Sequence, residues 1–184
     1  MAEDRKYFIF NKPMDYRRGT VDRMNAADGI LRLTGAEPGW FFSRVLDSRE
    51  EEMTWHRLRT VCAERDGGWN MTLYSSDSRF LVWGDNSAPL DEVLADPELS
   101  LEEKKQRMSS CFAKEIRGEA DVPLFDVRGR YLWFLLEAGG AAGDFDGITE
   151  IRIDFPKQNW VSWLPEVYQG SGKNRDFLER YLGV

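Results

Sequence analysis

The chain is short of the residues that most often carry chemistry. His56 is its 1 histidine in 184 residues, so a serine or cysteine nucleophile would have a single imidazole to draw on. Set between Trp55 and Arg57 in a strand-like stretch, that residue reads as a packed structural histidine, and no G-x-S-x-G elbow accompanies it. The 2 cysteines, Cys62 and Cys111, permit at most one disulfide and lack the spacing of a zinc site. They read as reduced core thiols. Positive charge is scarce as well: 25 Lys and Arg against 32 Asp and Glu leave a formal charge of −7. Phosphate neutralisation needs a concentrated positive field, so no nucleic-acid partner is expected, and the Arg17-Arg18 pair does not reverse the balance.

Long apolar runs are missing too. The longest, Tyr131 to Leu136, is far below the roughly 18 residues that cross a bilayer. The opening Met1-Ala2-Glu3-Asp4 carries no basic-then-apolar leader pattern. Synthesis in the cytoplasm, without direct membrane insertion, is therefore expected.

Two loop motifs resemble ligand sites and fail on counting. Gly170-Ser171-Gly172-Lys173 echoes a phosphate loop, but Val167 stands where the first glycine belongs and Asn174 where the magnesium-binding hydroxyl belongs. Asp144-Phe145-Asp146-Gly147 echoes a calcium loop, but Ala142 and Ile153 take carboxylate positions. Both read as turns. Paired carboxylates for glycoside hydrolysis cannot be placed by sequence, and the acids read as solvated surface groups. The expectation is a protein with no catalytic, cofactor or metal residues, not an enzyme.

What the chain does have is alternation. A 42% hydrophobic share with 13% aromatics is ample for a core, and 31% charged residues supply a soluble surface. The Asp28-Gly29 turn leads into Ile30-Leu31-Arg32-Leu33; Gly35, Pro38 and Gly39 then precede Trp40-Phe41-Phe42-Ser43, and a strand pair fits these two stretches. Trp55 to Cys62 alternates, with His56, Leu58, Thr60 and Cys62 sharing a face. After Asp66-Gly67-Gly68, Trp69, Met71 and Leu73 alternate with Asn70, Thr72 and Tyr74, and the two stretches read as a hairpin with a buried side on the second.

A helical excursion is predicted over about 89–118. Pro89 opens a short turn through Leu94, and Asp96-Pro97 breaks it. Ser100-Leu101-Glu102-Glu103 is a capping box. Leu101, Met108, Phe112 and Ile116 follow at helical spacing, with Gly118 as the stop. The β pattern then returns: Tyr131 to Leu136 reads as a strand buried on both faces. In Ile148 to Phe155, a one-residue slip would bury Glu150, Arg152 and Asp154, so the register is strongly specified. Short strands without strand–helix alternation point to a mainly β protein, an antiparallel β-sandwich of jelly-roll-like form. The predicted division is a sandwich over 1–156 with its helical insertion, and an aromatic linker with a short C-terminal helical arm over 157–184.

That last stretch is too aromatic for a solvated tail. It contains Phe155-Pro156, then Trp160-Val161-Ser162-Trp163-Leu164-Pro165-Glu166-Val167-Tyr168, and closes with Asp176-Phe177-Leu178-Glu179-Arg180-Tyr181-Leu182. Either it folds back on its own sandwich or it anchors in a neighbour. The runs Leu164 to Tyr168 and Asp176 to Leu182 resemble the opening of the phage tail protein I family, a baseplate wedge component of contractile tails and related injection systems. Asp126, Arg128 to Trp133, Ile151 to Pro156, Ser43 to Ser48 and Trp55 to Leu58 resemble the β region that precedes it in larger tail-domain members. In that family the leucine-proline-glutamate segment introduces a helical wedge region. Here the chain reaches Val184 after about two turns of it, so either a separate chain supplies the rest or this is a shortened member.

The resemblance implies work done by assembly: many copies hold the baseplate ring around the tail tube and transmit its rearrangement to the sheath. The partners implied are other wedge subunits and neighbouring tail proteins, in a virion tail or injection particle. The expected docking residues are Trp160, Trp163, Leu164, Pro165, Tyr168, Phe177, Leu178, Tyr181 and Leu182. The competing reading is a carbohydrate- or receptor-binding module on such a particle, with Trp40, Trp69 and Trp83 as stacking residues.

Overall fold

The computed structural model describes residues 6–156 apart from 66, 84 and 85. The predicted arm over 157–184 lies outside the described residues. Along the chain run β1 (Tyr7–Phe10), α1 (Pro13–Tyr16), β2 (Thr20–Asp22), β3 (Met24–Asn25), β4 (Arg32–Leu33), β5 (Gly39–Phe42) and β6 (Leu46–Asp47). Next come β7 (Arg57–Cys62), β8 (Trp69–Ser76), β9 (Phe80–Trp83), β10 (Asn86–Pro89), α2 (Leu90–Ala95) and α3 (Leu101–Arg107). The series closes with β11 (Phe112–Arg117), β12 (Asp121–Pro123), β13 (Tyr131–Ala138) and β14 (Ile148–Asp154).

These strands build two antiparallel sheets facing each other. The four-stranded sheet has the order β1-β14-β7-β12; the six-stranded one has the order β11-β8-β13-β5-β2, with β6 also paired to β13. Two short pairs, β3 with β4 and β9 with β10, stand apart from them. The protein is mainly β and sandwich-like, as its alternation predicted.

The space between the sheets is filled by one cluster. The four-stranded sheet contributes Phe10, Leu58, Ile151 and Ile153, and the six-stranded sheet contributes Phe41, Met71, Leu73 and Phe134. Phe10 bridges the layers by meeting Phe134 edge-on at 5.1 Å, a preferred aromatic arrangement. Ile151 and Ile153 are fully buried while Glu150, Arg152 and Asp154 keep to the other face, so the register of β14 is the one its charges demand.

β13 is buried on both faces, as its unbroken apolar run requires. Leu132, Phe134 and Leu136 enter the inter-sheet cluster. Trp133 and Leu135 point outward into a second cluster with Phe42, Tyr74, Leu90, Leu94 and Met108. The helices thus cap part of the outer face of the six-stranded sheet. Asp91 on α2 pins this cap: its carboxylate accepts from the Trp133 indole at 3.3 Å, the Val45 amide at 2.9 Å and Arg79 at 3.2 Å. Lys104 on α3 is buried, and its ammonium donates to the carbonyls of Leu94 at 2.6 Å and Asp96 at 2.7 Å, at the C-terminal end of α2. It satisfies carbonyls that a helix end leaves without partners, and its charge suits the dipole there.

Three local expectations are corrected. The capping box forms, with the Ser100 hydroxyl accepting from the Glu103 amide at 3.3 Å, but the helix ends at Arg107 and a single 3-10 turn follows over Met108–Ser110. Phe112 and Ile116 are on β11, which pairs with β8 from Phe112 opposite Ser75 to Arg117 opposite Asn70. Serines at 109 and 110 weaken a helix interior, and ladder pairing along β8 outweighs continued helical spacing.

The stretches around 30–33 and 40–43 do not pair with each other: β4 pairs β3, and β5 lies between β2 and β13. Nor do β7 and β8 form a hairpin, since β7 pairs β14 and β12 while β8 pairs β11 and β13. The chain between them crosses from one sheet to the other. Gly68 makes that crossing feasible, with φ of +71° and a position where a Cβ would lie 1.8 Å from the Asp144 carbonyl oxygen.

Between β5 and β6 the ladder along β13 is interrupted at Ser43. Its backbone N–H donates to the Phe134 carbonyl at 2.8 Å, and its hydroxyl accepts from the Phe134 N–H at 2.8 Å. A side chain here replaces a strand carbonyl. Ser43→Ala is therefore expected to orphan a buried N–H and destabilise the fold by about 1–3 kcal/mol in chemical denaturation; an unchanged midpoint would contradict this role. Lys104→Met keeps the aliphatic stem and removes the cap, so it is expected to lower the thermal midpoint, whereas a surface change such as Lys12→Met should not.

Candidate functional site

The outer face of the six-stranded sheet is only half covered. The helices lie over Phe42, Trp133 and Leu135, leaving the β8–β11 side as an open groove of about 560 Å³. Strand register sets its floor, because residues directly opposite on neighbouring strands share a face. Arg117, Asn70 and Glu137 form one row across β11, β8 and β13; Glu115 and Thr72 begin the next; Ala113 and Tyr74 begin the third. Lys105 of α3 forms a wall, and Gly67, Gly68, Gly118, Ala141 and Ala142 close one end with little bulk.

Charge in the groove is mixed. The Lys105 ammonium donates to Glu137 at 2.8 Å and to Glu102 at 3.3 Å. Burial alone would lower the Lys105 pKa, but these carboxylates reverse the effect and raise it, so the group stays cationic. Tyr74 is only 6% exposed. Its ring stacks on Phe42 at 5.8 Å, and burial raises the phenol pKa, with Lys105 and Glu137 near enough to act on it.

The outward face of the four-stranded sheet carries a different lattice. Tyr7, Asp154, Arg57 and Pro123 form one row, and Ile9, Arg152, Arg59 and Asp121 the next. Arg152 stacks over the Tyr7 ring at 4.2 Å and donates to Asp154 at 2.7 Å. Arg57 makes a two-pronged pair with Asp121, whose carboxyl that contact holds below the usual range. Tyr7 and Val61, 44% and 50% exposed, interrupt the charge with apolar surface.

His56 stands at the margin of this sheet. Its N–H donates to the Asp154 carbonyl at 3.0 Å, its carbonyl accepts from Leu124 at 2.9 Å, and its ring meets Phe125 edge-on at 5.3 Å. Burial lowers its pKa, so the imidazole is neutral at pH 7. Its contacts are those of a packed residue.

The docking residues expected from Trp160 to Leu182 lie outside the described residues, as does the Gly170 to Lys173 turn. Of the stacking candidates, Trp69 is corrected to a core residue: it is 1% exposed on the inner side of β8, where it serves the inter-sheet cluster. Trp40 is half-buried with the Lys104 ammonium 5.6 Å from its ring centre, and the side chain of Trp83 lies outside the described ones.

Cys62 packs against the inter-sheet cluster and Cys111 belongs to the outer one. Burial pushes the Cys111 thiol up, away from the reactive thiolate. Asp146 of the loop before β14 is held below the usual carboxylate range by Arg65, 2.8 Å away. Among the described residues, no group of three or more His, Cys, Asp or Glu side chains is placed to hold a metal ion. Also among them, no helix is long and apolar enough to cross a membrane.

Sequence reading missed the groove although it had found the strand. In Asn70, Thr72 and Tyr74 an aromatic occupies the polar side of an alternating segment, and that misfit was the available signal. No protein-family model matches the chain, and no curated protein matches it significantly. As chemistry, the described residues of the groove offer hydroxyl, amide, carboxylate and ammonium groups for hydrogen bonding.

The paired carboxylates give the fold an acid limit. Asp47, held by Arg130 at 2.8 Å, and Asp121, held by Arg57, both have lowered pKa values in the folded state. Their contribution is present above the unfolded carboxylate pKa of about 3.9 and is lost as pH falls through the lower folded values. The thermal midpoint is expected to drop steeply as pH falls from 4 to about 2, and Asp47→Asn should flatten that slope; a midpoint indifferent to acid would count against these pairs.

Proposed function

We propose that this protein is a non-catalytic structural subunit of a contractile phage tail or tail-like injection particle, working through assembly into its baseplate. The observation that carries the reading is the sequence of the C-terminal stretch. Leu164-Pro165-Glu166-Val167-Tyr168, followed by Asp176-Phe177-Leu178-Glu179-Arg180-Tyr181-Leu182, resembles the phage tail protein I family. The aromatic residues Trp160 and Trp163 precede it.

The physics of the reading is an anchored platform. A mainly β body resists deformation because its core is close-packed, which suits a part that transmits force. An arm carrying Trp160, Trp163, Leu164, Tyr168, Phe177 and Tyr181 would gain several kcal/mol on burial in a neighbour, at about 25 cal/mol per Å² of apolar surface. Exposed apolar side chains on the body are compatible with further contacts: Phe80 and Val82 of the β9–β10 pair are 50% and 68% exposed, and Phe112 is 45% exposed. The partners proposed are neighbouring baseplate and tail proteins.

A tagged full-length chain is expected to recover baseplate, tube and sheath proteins from native particles. A form lacking residues 157–184 should retain the near-UV circular dichroism of the folded sandwich and recover none of them. Undiminished recovery by the shortened form would overturn the docking role of the arm, and failure of the full chain to recover particle proteins would overturn the reading altogether.

A further inference from the structure

β11 is an edge strand whose outer backbone groups are unclaimed. It pairs with β8 on one side only, and among the described residues no backbone hydrogen bond outside that ladder involves residues 112–117. We propose that this edge accepts residues 159–164 of a second copy of the chain as an added antiparallel strand, with Leu164 opposite Phe112, an assignment that rests on the proposed docking of the arm in a neighbour.

Length and composition match. At six residues β11 is the longest edge of the two facing sheets; β1 has four, and β2 and β12 have three each. A row of unpaired amides and carbonyls of that length is a template for another strand. In the arm, Asn159-Trp160-Val161-Ser162-Trp163-Leu164 carries neither charge nor proline and is rich in residues that strands favour. Pro165, which a ladder excludes, closes the run.

Side chains then set the register. With Leu164 opposite Phe112, antiparallel pairing brings Trp160 to Ile116 and Trp163 to Ala113. Phe112 is 45% exposed, so Leu164 covers apolar surface that the body leaves in water. Ala113, opposite Tyr74 on β8, has little bulk and leaves room for an indole in the same row. Ser162 falls opposite Lys114, whose ammonium is already held by Asp126 at 2.6 Å, and Val161 falls opposite Glu115. No charge meets a like charge.

Two copies of β11 suit each other less well. Symmetric antiparallel pairing keeps each face of the sheet only when one residue sits on the two-fold axis, and the longest such overlaps centre on Lys114 or on Glu115. Each sets that residue against itself, and like charges directly opposite destabilise a pair.

Nor does the arm reach its own β11 in this direction. The chain leaves the body at Pro156, next to Phe155, whose ring lies 5.3 Å from that of Trp55. The Trp55 indole donates to the Gly129 carbonyl at 2.9 Å, Gly129 abuts the backbone of Ser76, and Ser75 is opposite Phe112. The exit is therefore at the Phe112 end. An antiparallel strand starts at the Arg117 end, about 17 Å farther on at about 3.4 Å per residue. The three steps from Pro156 to Asn159 span at most about 11 Å. The edge of a neighbouring copy imposes no such limit.

The test uses the purified full chain. As its concentration rises, its mass by light scattering is expected to exceed that of a monomer, and amide exchange at residues 112–117 is expected to slow about tenfold, the worth of one well-used hydrogen bond. Of Val161→Pro and Ser162→Pro, one removes an N–H that faces β11 and the other an N–H that faces away. One is expected to abolish both effects and the other to weaken them less, with the near-UV circular dichroism of the body unchanged in each. A photoreactive benzoylphenylalanine in place of Trp163 should cross-link to residues 112–117 of a differently tagged copy. The proposal is overturned if the chain stays monomeric, even with β11 protected, since protection in a monomer marks its own arm as the occupant. It is also overturned if association leaves residues 112–117 unprotected, or if both proline variants associate as the parent does. Recovery of particle proteins by a chain whose β11 stays unprotected would overturn the strand addition alone; arm-dependent self-association without such recovery would overturn the particle reading alone.

Discussion

Burial of β13 on both faces is the constraint from which the rest of this architecture follows. A strand of Tyr-Leu-Trp-Phe-Leu-Leu has no polar side to show to water, so each face needs its own cover. One face is met by the four-stranded sheet, which supplies Phe10, Leu58, Ile151 and Ile153. The other is met by α2 and α3, which bring Leu90, Leu94 and Met108 onto Trp133 and Leu135. The helices are therefore a second layer of core. Their limited length also explains why β8 and β11, beside β13, keep an open outer face.

Polar groups also hold this cover in place. Asp91 ties α2 to the indole of Trp133, to the amide of Val45 and to Arg79, and Lys104 closes the end of α2 from within the protein. Burying an ammonium is costly without compensation, and burial does lower the pKa of Lys104. Two carbonyl acceptors, with the Trp40 ring 5.6 Å away, provide that compensation. The result is a fixed wall from which Lys105 faces the groove, so the residue that organises the core is next in sequence to one that shapes the candidate site.

The parts of the fold legible in the sequence are those whose pattern carries its own penalty for error. β14 could not slip without burying Glu150, Arg152 and Asp154, and β13 could not be a surface strand. The capping box at Ser100 is equally local, and it formed. What escaped was pairing. Leu31 and Phe41 looked like neighbours because they are close in sequence, but β5 is held by β13, far along the chain. The same holds for β7 and β8, where a Gly-Gly pair that serves a hairpin also serves a crossing between layers. Helical spacing over Phe112 and Ile116 was misleading because an i,i+4 pair on a helix is an i,i+4 pair on one side of a strand too. Of the candidate site, sequence offered only the oddity of Tyr74 on a polar face; the companions of that tyrosine come from α3, β11 and β13.

The pairing of β1 with β14 has a consequence for how the molecule comes into being. The four-stranded sheet joins residues 7–10 directly to residues 151–154, so its central ladder is unavailable until nearly all of the described chain has left the ribosome. β7 must wait for the same partner. Contacts so distant in sequence make the ordering of the chain slow and leave apolar strands such as Phe8-Ile9-Phe10 waiting in the open. The nascent chain is thus the form most prone to join the wrong partner, and the late arrival of β14 is the event that ends the danger.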